Sequence, residues 1–335
     1  MKVYIKSSLA VLLVCLCSSL IILGSYALYI LNCSSPIGSR VVVDKENNIL
    51  SVNDDKDIKV LQLSDTQITA LGDALKALDA IQMTVEMAQP DLIVLTGDNL
   101  MNGSKKFMLK KYIRFIDEFE IPWAPVFGNH DYKTDMTMDT QCKLYESGKY
   151  CLFQKGNVTD SYGNYYYNIH RNGNPIYSLV FMDNAISTTE HHLEWYRNTI
   201  NSISNECGKV LPSWTFFHLP LVETYYAYRQ YYYNDIPLDG EMRDGGVAYQ
   251  KNDAGLFDTA KELGSATAMI YGHNHRNTFI ADYKGIKLCY GIKTGRASYH
   301  DEDIQGGCLY TIKPDNTFTI DRIFLDPEDR HFIFK

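Results

Sequence analysis

The sequence predicts an α/β fold, a four-layer α-β-β-α sandwich in which two packed sheets lie between helices, preceded by one transmembrane helix. Three patterns support this prediction. The chain begins with a long apolar stretch. Short apolar runs then alternate with amphipathic segments up to about residue 160, as in α/β units. Strand-like patterns dominate the remainder and favour further strands that complete a second sheet.

The N-terminal stretch has no charged side chain between Lys6 and Arg40. Its apolar part, residues 9–31, is long enough to cross a bilayer core, which takes about 20 helical residues. A cleaved signal peptide is the alternative, but its apolar core runs only about 7–15 residues. Lysines before the segment favour a cytoplasmic N-terminus, residues 1–8. We therefore expect a single-pass membrane protein with an uncleaved signal anchor and a lumenal or extracellular body.

Residues 32–56 are polar and rich in turn residues, so we interpret them as a tether. The folded domain follows as residues 57–335, and its first strand, 58–63, is an apolar run bounded by charges. The first helical pattern ends at Pro90, which cannot continue a helix. The predicted strands are 41–43, 58–63, 92–95, 125–127, 165–170, 176–183, 213–218, 268–271, 278–282, 288–290, 307–312 and 317–324, and the predicted helices are 74–89, 106–119, 190–203 and 254–263.

The composition is typical of a folded domain and disfavours nucleic acid as a partner. Apolar residues make up 45% of the 335 residues and charged residues 21%, which are ordinary values for globular proteins. The formal net charge is −8 at pH 7. Proteins that bind a phosphate backbone nonspecifically present a basic face, because released counterions supply the affinity. A nuclease function is disfavoured for the same reason.

Cysteines and one sequon give weaker support for an oxidising compartment. Cys142 and Cys151, like Cys289 and Cys308, are close in sequence and would form disulfides there. Free or buried thiols are the alternative. Asn157 begins the triplet NVT, which accepts N-linked glycans in lumenal or extracellular chains.

Five of the predicted strands end in short segments rich in carboxylates, amides and imidazoles. In α/β sheets, ligands bind beyond the carboxyl ends of strands. Each segment alone is a weak signal, because a lone aspartate is more often a helix cap or turn residue. The joint order of all five at strand ends indicates one site. The segments are SDTQ (64–67), GDN (97–99), GNHD (128–131), HLP (218–220) and GHNH (272–275).

This mixture of side chains suits two divalent cations. Two cations about 3.5–4 Å apart need a bridging carboxylate to offset their repulsion, and neutral ligands to complete each shell. Such a pair lowers the pKa of a bridging water, and the hydroxide attacks phosphorus in line. His130 is then free to donate a proton to the leaving oxygen. The candidate ligands are Asp98 as the bridge, Asp65 and His275 for the first metal, and Asn129, His218 and His273 for the second.

These segments resemble the calcineurin-like metallophosphoesterase superfamily, whose pattern is DxH, GDxx, GNHD/E, HxP and GHxH, and the resemblance covers residues 57–335. It implies the two-sheet sandwich between helices, phosphate-ester hydrolysis and two divalent metal ions, namely manganese, iron or zinc, with magnesium also compatible. The catalytic roles of Asp98, Asn129 and His130 agree with it. Within the superfamily the chain is most similar to the purple-acid-phosphatase-related branch, which includes phosphatases of the Dcr2 type, on the residues GDN (97–99), Glu223, Gly240-Glu241 and YGIKTGRASY (290–299).

The sequence departs from the family pattern at two positions. Gln67 stands where the pattern has a metal-binding imidazole. As a ligand of the first metal, its carbonyl oxygen would favour manganese or magnesium over zinc or iron. The run after Gly97-Asp98 contains no tyrosine, so the iron–tyrosinate colour of purple phosphatases is not expected.

The substrate is predicted only as a phosphate ester, monoester or diester. Residues 223–237 contain six tyrosines and Arg229, which suit a lid that stacks on an aromatic group while the arginine meets phosphate. An aromatic surface loop is the alternative interpretation. Arg296 is a second candidate for binding phosphate. The alternative function is a catalytically weak binding or scaffold protein that kept the fold, and Gln67 is the feature that favours it.

Overall fold

The computed structural model of the protein describes residues 36–69, 71–159 and 161–325. The predicted signal anchor at residues 9–31 and the segment 1–8 before it lie outside the described residues. Within the described ranges, none of the helices combines the length and the apolarity needed to cross a membrane. The described residues from Ile37 onward belong to one compact unit.

The described residues form thirteen strands and six α-helices. The strands are β1 (Val42–Asp44), β2 (Ile49–Val52), β3 (Ile58–Leu63), β4 (Leu92–Thr96), β5 (Trp123–Val126), β6 (Tyr165–Arg171), β7 (Asn174–Phe181), β8 (Ser213–Phe216), β9 (Ala266–Tyr271), β10 (Ile280–Tyr283), β11 (Ile286–Tyr290), β12 (Gly306–Ile312) and β13 (Phe318–Phe324). The helices are α1 (Leu71–Ala88), α2 (Lys106–Asp117), α3 (Met138–Glu146), α4 (Glu190–Cys207), α5 (Val222–Tyr233) and α6 (Leu256–Leu263).

The strands form two mixed sheets. One has the order β13-β12-β3-β4-β5, and the other has the order β1-β2-β6-β7-β8-β9-β11-β10. The strands β3, β4 and β5 run parallel, and so do β7, β8, β9 and β11. Parallel strands end at the same edge of a sheet, so each sheet gathers the loops that follow these strands at one edge.

The two sheets pack against each other through aromatic and polar side chains. The ring of Trp214 on β8 lies 5.6 Å from the ring of Tyr310 on β12. The buried amide of Gln62 on β3 donates to the carbonyl oxygen of Tyr271 on β9 at 3.1 Å. It also accepts from the hydroxyl of Tyr310 at 3.0 Å. Every described residue of β4 and β8 is buried, as expected for strands covered on both faces. The predicted α/β fold with two sheets is therefore confirmed.

Helices cover the outer faces. Helix α1 contacts β3, β12 and β13, while α5 and α6 contact β10 and β9. Buried apolar side chains of α4, such as Leu193 and Tyr196, join one core cluster with Met269 of β9 and Phe257 of α6. This packing places the eight-stranded sheet between the other sheet and the helices.

The structure differs from the predicted tether at residues 32–56. Its described part from Ile37 onward belongs to the same unit as the domain. Strand β1 pairs with β2, and β2 pairs in parallel with β6, so this segment extends the eight-stranded sheet. The run ILSV of β2 alternates half-buried and buried residues, a four-residue pattern too short to stand out from the polar residues around it.

The tyrosine-rich segment, for which the sequence suggested a lid or a surface loop, contributes most of its residues to helix α5. Tyrosine has modest helix propensity and is enriched in strands, so local preference gives no signal for α5. Tertiary packing supplies the stabilisation instead. Thr224 and Ala227 are buried on the inner side of the helix, and the ring of Tyr228 lies 5.8 Å from that of Phe279.

The two predicted disulfides are not formed. Cys142, Cys151, Cys289 and Cys308 are free and buried, which matches the alternative interpretation. Burial raises the pKa of each of these thiols, and a buried neutral thiol behaves as a small apolar side chain.

Candidate metal centre

The five predicted segments meet at one edge of the fold, beyond the carboxyl ends of β3, β4, β5, β8 and β9. Backbone hydrogen bonds join neighbouring loops within each sheet, and the His273 amide donates across the sheets to Oδ2 of Asp65 at 3.0 Å. The Asp65 amide donates to the carbonyl of Gly97 at 3.2 Å, and that of Gln67 donates to the carbonyl of Asp98 at 2.9 Å. The Gly272 amide donates to the carbonyl of His218 at 3.1 Å. Both sheets therefore supply residues to one site, as the strand-end positions predicted.

Four residues of the site have left-handed backbone conformations. Their φ angles are 50° at Asp65, 45° at Gln67, 49° at Asp98 and 75° at His273. Such angles are rare for residues other than glycine, and each costs about 1–3 kcal/mol unless the surroundings enforce it. Strain of this kind concentrates at functional sites, because it aims side chains that a relaxed turn would not bring together.

Two glycines allow the loops to approach each other. A Cβ atom on Gly97 would lie 2.6 Å from Nδ1 of His218, and one on Gly272 would lie 2.0 Å from Oγ of Ser64. Both distances are shorter than any tolerated contact. A larger residue at either position would push the histidine loops away from the aspartate loops.

One group of candidate ligands consists of Asp98, His218 and His273, whose ligand atoms lie within 4.8 Å of one another. His218 is fully buried, and its Nδ1 lies 2.9 Å from the carbonyl oxygen of Thr96. Donation of the Nδ1–H to that carbonyl fixes the ring so that Nε2 faces Asp98, as in metal-binding histidines. This Nε2 lies 3.4 Å from Oδ1 of Asp98.

A second group consists of Asp65, Asp98 and His275, again within 4.8 Å. Nδ1 of His275 lies 2.8 Å from the carbonyl oxygen of Tyr299, whose ring stacks on the imidazole with centroids 4.2 Å apart. Nε2 of His275 consequently faces Oδ1 of Asp65 at 3.4 Å. Asp98 belongs to both groups, which is the bridging position inferred from the sequence.

Three buried polar atoms of the candidate ligands have no hydrogen-bond partner: Asp65 Oδ1, Asn129 Oδ1 and His218 Nε2. A buried polar atom without a partner costs about 1–3 kcal/mol, so three such atoms among the candidate ligands indicate an absent ligand. Two atoms bound to one metal at about 2.0–2.2 Å with tetrahedral angles lie about 3.4 Å apart. The spacings of His218 and His275 from the aspartates equal this value, so these residues fit a divalent cation.

Gln67 does not present its carbonyl oxygen to the centre as the sequence analysis expected. Its Oε1 accepts a hydrogen bond from Nζ of Lys293 at 2.8 Å. Its amide nitrogen therefore faces the centre, 3.3 Å from Oδ2 of Asp98 and 3.4 Å from Nε2 of His275. An amide NH₂ group donates hydrogen bonds and has no lone pair for a metal. The group of Asp98, His218 and His273 therefore fits a cation better than the group of Asp65, Asp98 and His275, which the Gln67 amide borders.

Lys293 is a site residue that the sequence analysis did not identify. It is 2% exposed, and its ammonium also donates to the carbonyl oxygen of Asp65 at 3.1 Å. Burial lowers the pKa of Lys293 to about 8, against the opposing charges of Asp65 and Asp98. Lysine is rarely buried without a specific partner, so a lysine after the apolar run of β11 is the available sequence signal.

The charges of the site give its imidazoles different pKa values and hence different protonation states. Burial would lower the pKa of His218, but the charges of Asp98 and Asp65 raise it to about 9. Burial and the charge of His218 lower the pKa of His273 to about 4, so His273 is neutral at physiological pH. Burial would also raise the pKa of Asp65, yet His275, His218 and Lys293 lower it overall. Burial would raise the pKa of Asp98 as well, but the charge of His218 lowers it overall. Both aspartates are therefore available as anionic ligands.

His130 lies at the rim of the centre with its side chain 22% exposed. Its Nε2 is 3.7 Å from Oδ2 of Asp98, and its Nδ1 is 2.8 Å from Oδ1 of Asn102. The bond to Asn102 turns Nε2 toward the cation position. The residue predicted as the proton donor thus lies next to the candidate ligands and is accessible to solvent.

Asp131, the last residue of GNHD, is fully buried and organises the loops. Its carboxylate accepts from the backbone amides of Gly128 at 2.8 Å, Asn99 at 3.2 Å and Leu100 at 2.9 Å. These bonds tie the loop after β5, which carries Asn129, to the loop after β4. Asp131 is therefore a positioning residue.

Replacement of Asp131 by alanine is expected to lower the free energy of unfolding by about 3 kcal/mol or more, since three buried amides lose an acceptor worth about 1–3 kcal/mol each. Urea unfolding of Asp131→Ala and wild type measures the difference. Asp131→Asn keeps one acceptor oxygen and should lose less. Equal stability of the alanine variant and the wild type would contradict this role.

The two candidate arginines have other partners. Arg296 forms an ion pair with Glu302. The guanidinium of Arg229 on α5 is exposed and lies 5.5 Å from the ring centroid of Tyr225 and 5.0 Å from that of Tyr233. Their proposed role in binding phosphate therefore remains a prediction from sequence.

A two-sheet α/β fold with aspartate, asparagine and histidine side chains converging at the strand ends is the architecture of a metallophosphoesterase. The sequence profile of the calcineurin-like phosphoesterases matches residues 58–277. The chain belongs to the calcineurin-like phosphoesterase family, and the resemblance stated from the motifs is confirmed.

Curated relatives fall in the predicted branch. The chain is 27% identical over 301 residues to "probable inactive purple acid phosphatase 28" of Arabidopsis thaliana, a match that spans 75% of this chain and 73% of that protein. It is 26% identical over 239 residues to phosphatase DCR2 of Saccharomyces cerevisiae, spanning 63% of this chain and 41% of that protein.

A solved structure shows the same fold. The structure described as GAP50, the anchor in the inner membrane complex of Plasmodium, superposes with a TM-score of 0.51 at 14% sequence identity. The superposition covers 83% of this chain and 87% of that one. At this identity the likeness concerns the fold alone.

Proposed function

We propose that the chain is a metal-dependent hydrolase of phosphoric ester bonds. One observation carries the proposal, namely that ligand atoms of Asp65, His218, His273 and His275 gather around the carboxylate of Asp98, with Asp65 Oδ1 and His218 Nε2 buried and unpartnered. Asp98, Asn129, His218 and His273 would hold the principal cation, with manganese, iron, zinc or magnesium as the candidates. Asp65 and His275 would face the neighbouring position.

A bound cation supplies Lewis-acid polarisation of the phosphoryl oxygen and a water of lowered pKa. The chain's own residues do the rest. Asp98 and Asn129 would hold the cation beside the rim, where His130 would meet the leaving oxygen. With Nδ1–H donated to Asn102, the protonated ring of His130 offers Nε2–H to that oxygen as a general acid.

Hydrolysis of p-nitrophenyl phosphate and bis(p-nitrophenyl) phosphate tests this proposal. The purified chain is expected to cleave at least one of them with manganese, to lose the activity after chelation, and to regain it when manganese is restored. The two substrates also separate a monoesterase from a diesterase. Activity that is indifferent to chelation would refute the metal dependence.

A catalytically weak binding or scaffold protein is the second candidate. The amide of Gln67 faces the centre with its NH₂ group, and several relatives carry the word "inactive" in their names. A scaffold would bind a cation at Asp98, Asn129, His218 and His273 without turnover. Metal bound at this position together with no hydrolysis across a panel of phosphoprotein, nucleotide and lipid phosphates would favour it.

We also propose that residues 9–31 anchor the chain in a membrane, with the metal centre on the lumenal or extracellular side. The uncharged N-terminal stretch supports this topology. Asn157 supplies a test, because Asn157 and Thr159 of its NVT sequon are exposed in the structure.

Expressed in a eukaryotic cell, the chain is expected to carry a glycan at Asn157 and to migrate faster after endoglycosidase treatment. Asn157→Gln should abolish that shift. Asn102→Gln should leave the shift unchanged and serves as the matched control, since Asn102 begins a second sequon, NGS, but its side chain is engaged by His130 beside the centre. The same mobility for treated and untreated wild type would contradict a lumenal or extracellular domain.

A further inference from the structure

We infer that this centre holds one divalent cation tightly, at Asp98, Asn129, His218 and His273, and that the ammonium group of Lys293 supplies positive charge beside the neighbouring position. The inference rests on the proposed function, since it concerns the occupancy of the same centre. It follows from the way in which Lys293 holds the side chain of Gln67.

Lys293 determines which end of the Gln67 amide faces the cations. The ammonium of Lys293 has three N–H groups, and two acceptors for them are Oε1 of Gln67 at 2.8 Å and the carbonyl of Asp65 at 3.1 Å. Turning the amide by half a rotation would bring its NH₂ group against the ammonium, so that two donors would face each other. The buried ammonium would also lose an acceptor, which is costly in a site closed to water.

The amide orientation weakens the first metal position. That position has Asp65, Asp98 and His275 as ligands, and the NH₂ group of Gln67 lies within 3.4 Å of both Asp98 Oδ2 and His275 Nε2. A cation between these residues would meet the positive end of the amide dipole in place of a lone pair. One coordination position is therefore blocked by a donor.

The positive charge of Lys293 also weakens cation binding at the first metal position. Asp65 and Asp98 are the two carboxylates of the centre, and a dication together with a nearby ammonium already balances more than their charge. A second dication would lie close to the first dication and to the ammonium of Lys293. In this buried region, repulsion between like charges is weakly screened. Asn129 Oδ1 and His218 Nε2 have no hydrogen-bond partners and face no such donor. The position formed by Asp98, Asn129, His218 and His273 therefore retains its affinity.

Metal stoichiometry tests this inference without using activity. The purified wild-type chain is titrated with manganese by isothermal calorimetry, and its metal content is measured after gel filtration. We expect about one tightly bound manganese ion per chain, with any second ion at least tenfold weaker. The double variant Gln67→His/Lys293→Met restores an imidazole and removes the ammonium, so it is expected to retain two.

Lys293→Arg is the matched control, because it keeps a cation next to Gln67 and should retain one ion. Gln67→His alone should gain less affinity for the second ion than the double variant. Two equally tight ions in the wild type, or a single ion in the folded double variant, would overturn the inference. Far-UV circular dichroism establishes that each variant is folded, and the wild-type titration decides the question if the double variant is not.

The outcomes separate this inference from the proposed function. One retained ion without hydrolysis of any phosphate ester would refute the hydrolase and support the single tight site. Two equally tight ions together with hydrolysis would support the hydrolase and refute the single tight site. No bound ion in the wild type would overturn both.

Discussion

Replacement of Asp98 by asparagine is expected to lower kcat/KM for p-nitrophenyl phosphate by about 1,000-fold or more, which corresponds to about 4 kcal/mol of transition-state stabilisation. Asp98 is the carboxylate common to both candidate ligand groups, so the change removes a negative charge from the cation's shell. The amide is nearly the same size and keeps an oxygen that accepts from the His130 backbone amide, as Oδ1 of Asp98 does at 2.7 Å. The fold is therefore expected to survive.

Steady-state kinetics and metal content, measured on the same preparation of Asp98→Asn, test this result. Asp282→Asn is the matched control, because the side chain of Asp282 is 61% exposed and pairs with Lys287 at the end of β10. It should leave both measurements unchanged. An Asp98→Asn enzyme with wild-type turnover and metal content would show that the cation does not depend on Asp98.

Replacement of His130 by alanine is expected to reduce kcat by about 100-fold to 1,000-fold while leaving the metal content unchanged, as for the loss of a general acid. Its ring lies at the rim, 3.7 Å from Asp98, and is a hydrogen-bonding neighbour of Asn102. It is therefore placed to meet the substrate without being needed to hold the cation.

The leaving group distinguishes a proton donor from a structural residue. Nitrophenolate leaves readily without protonation, so the loss in His130→Ala should be smaller with p-nitrophenyl phosphate than with an alkyl phosphate. His191→Ala is the matched control, since His191 is an exposed residue of α4. An equal loss with both substrates would contradict the assignment of His130 as the general acid.

Much of the fold could be predicted because buried strands have strong sequence patterns. The bounds of β3 agree with the prediction to the residue, since IKVLQL is an apolar run between charged residues. Helix α3 was not predicted. Its sequence MDTQCKLYE buries only Gln141, Cys142 and Tyr145, so it lacks a continuous apolar stripe. Its N-terminus instead relies on Thr137, whose side chain accepts from the amide of Thr140.

The residues of the candidate site that lie in sequence motifs could be predicted. Asp65, Asp98 and His218 come directly after buried strands, and the sheet brings such positions together. Lys293 could not be predicted in this way, because its partners Gln67 and the Asp65 carbonyl are more than two hundred residues away in sequence. The orientation of the Gln67 amide depends on that long-range contact. The residue type of Gln67 alone therefore suggested a metal ligand, whereas in the structure its NH₂ group faces the centre as a hydrogen-bond donor.

Anomalous diffraction from crystals of the protein grown with manganese tests the central claim most directly. We expect a strong anomalous difference peak at the manganese edge within bonding distance of Asn129 Oδ1 and His218 Nε2, about 2.0–2.3 Å from each atom. A density map without a peak there, or with peaks only away from Asp98, Asn129, His218 and His273, would contradict the assignment of this site as a metal centre.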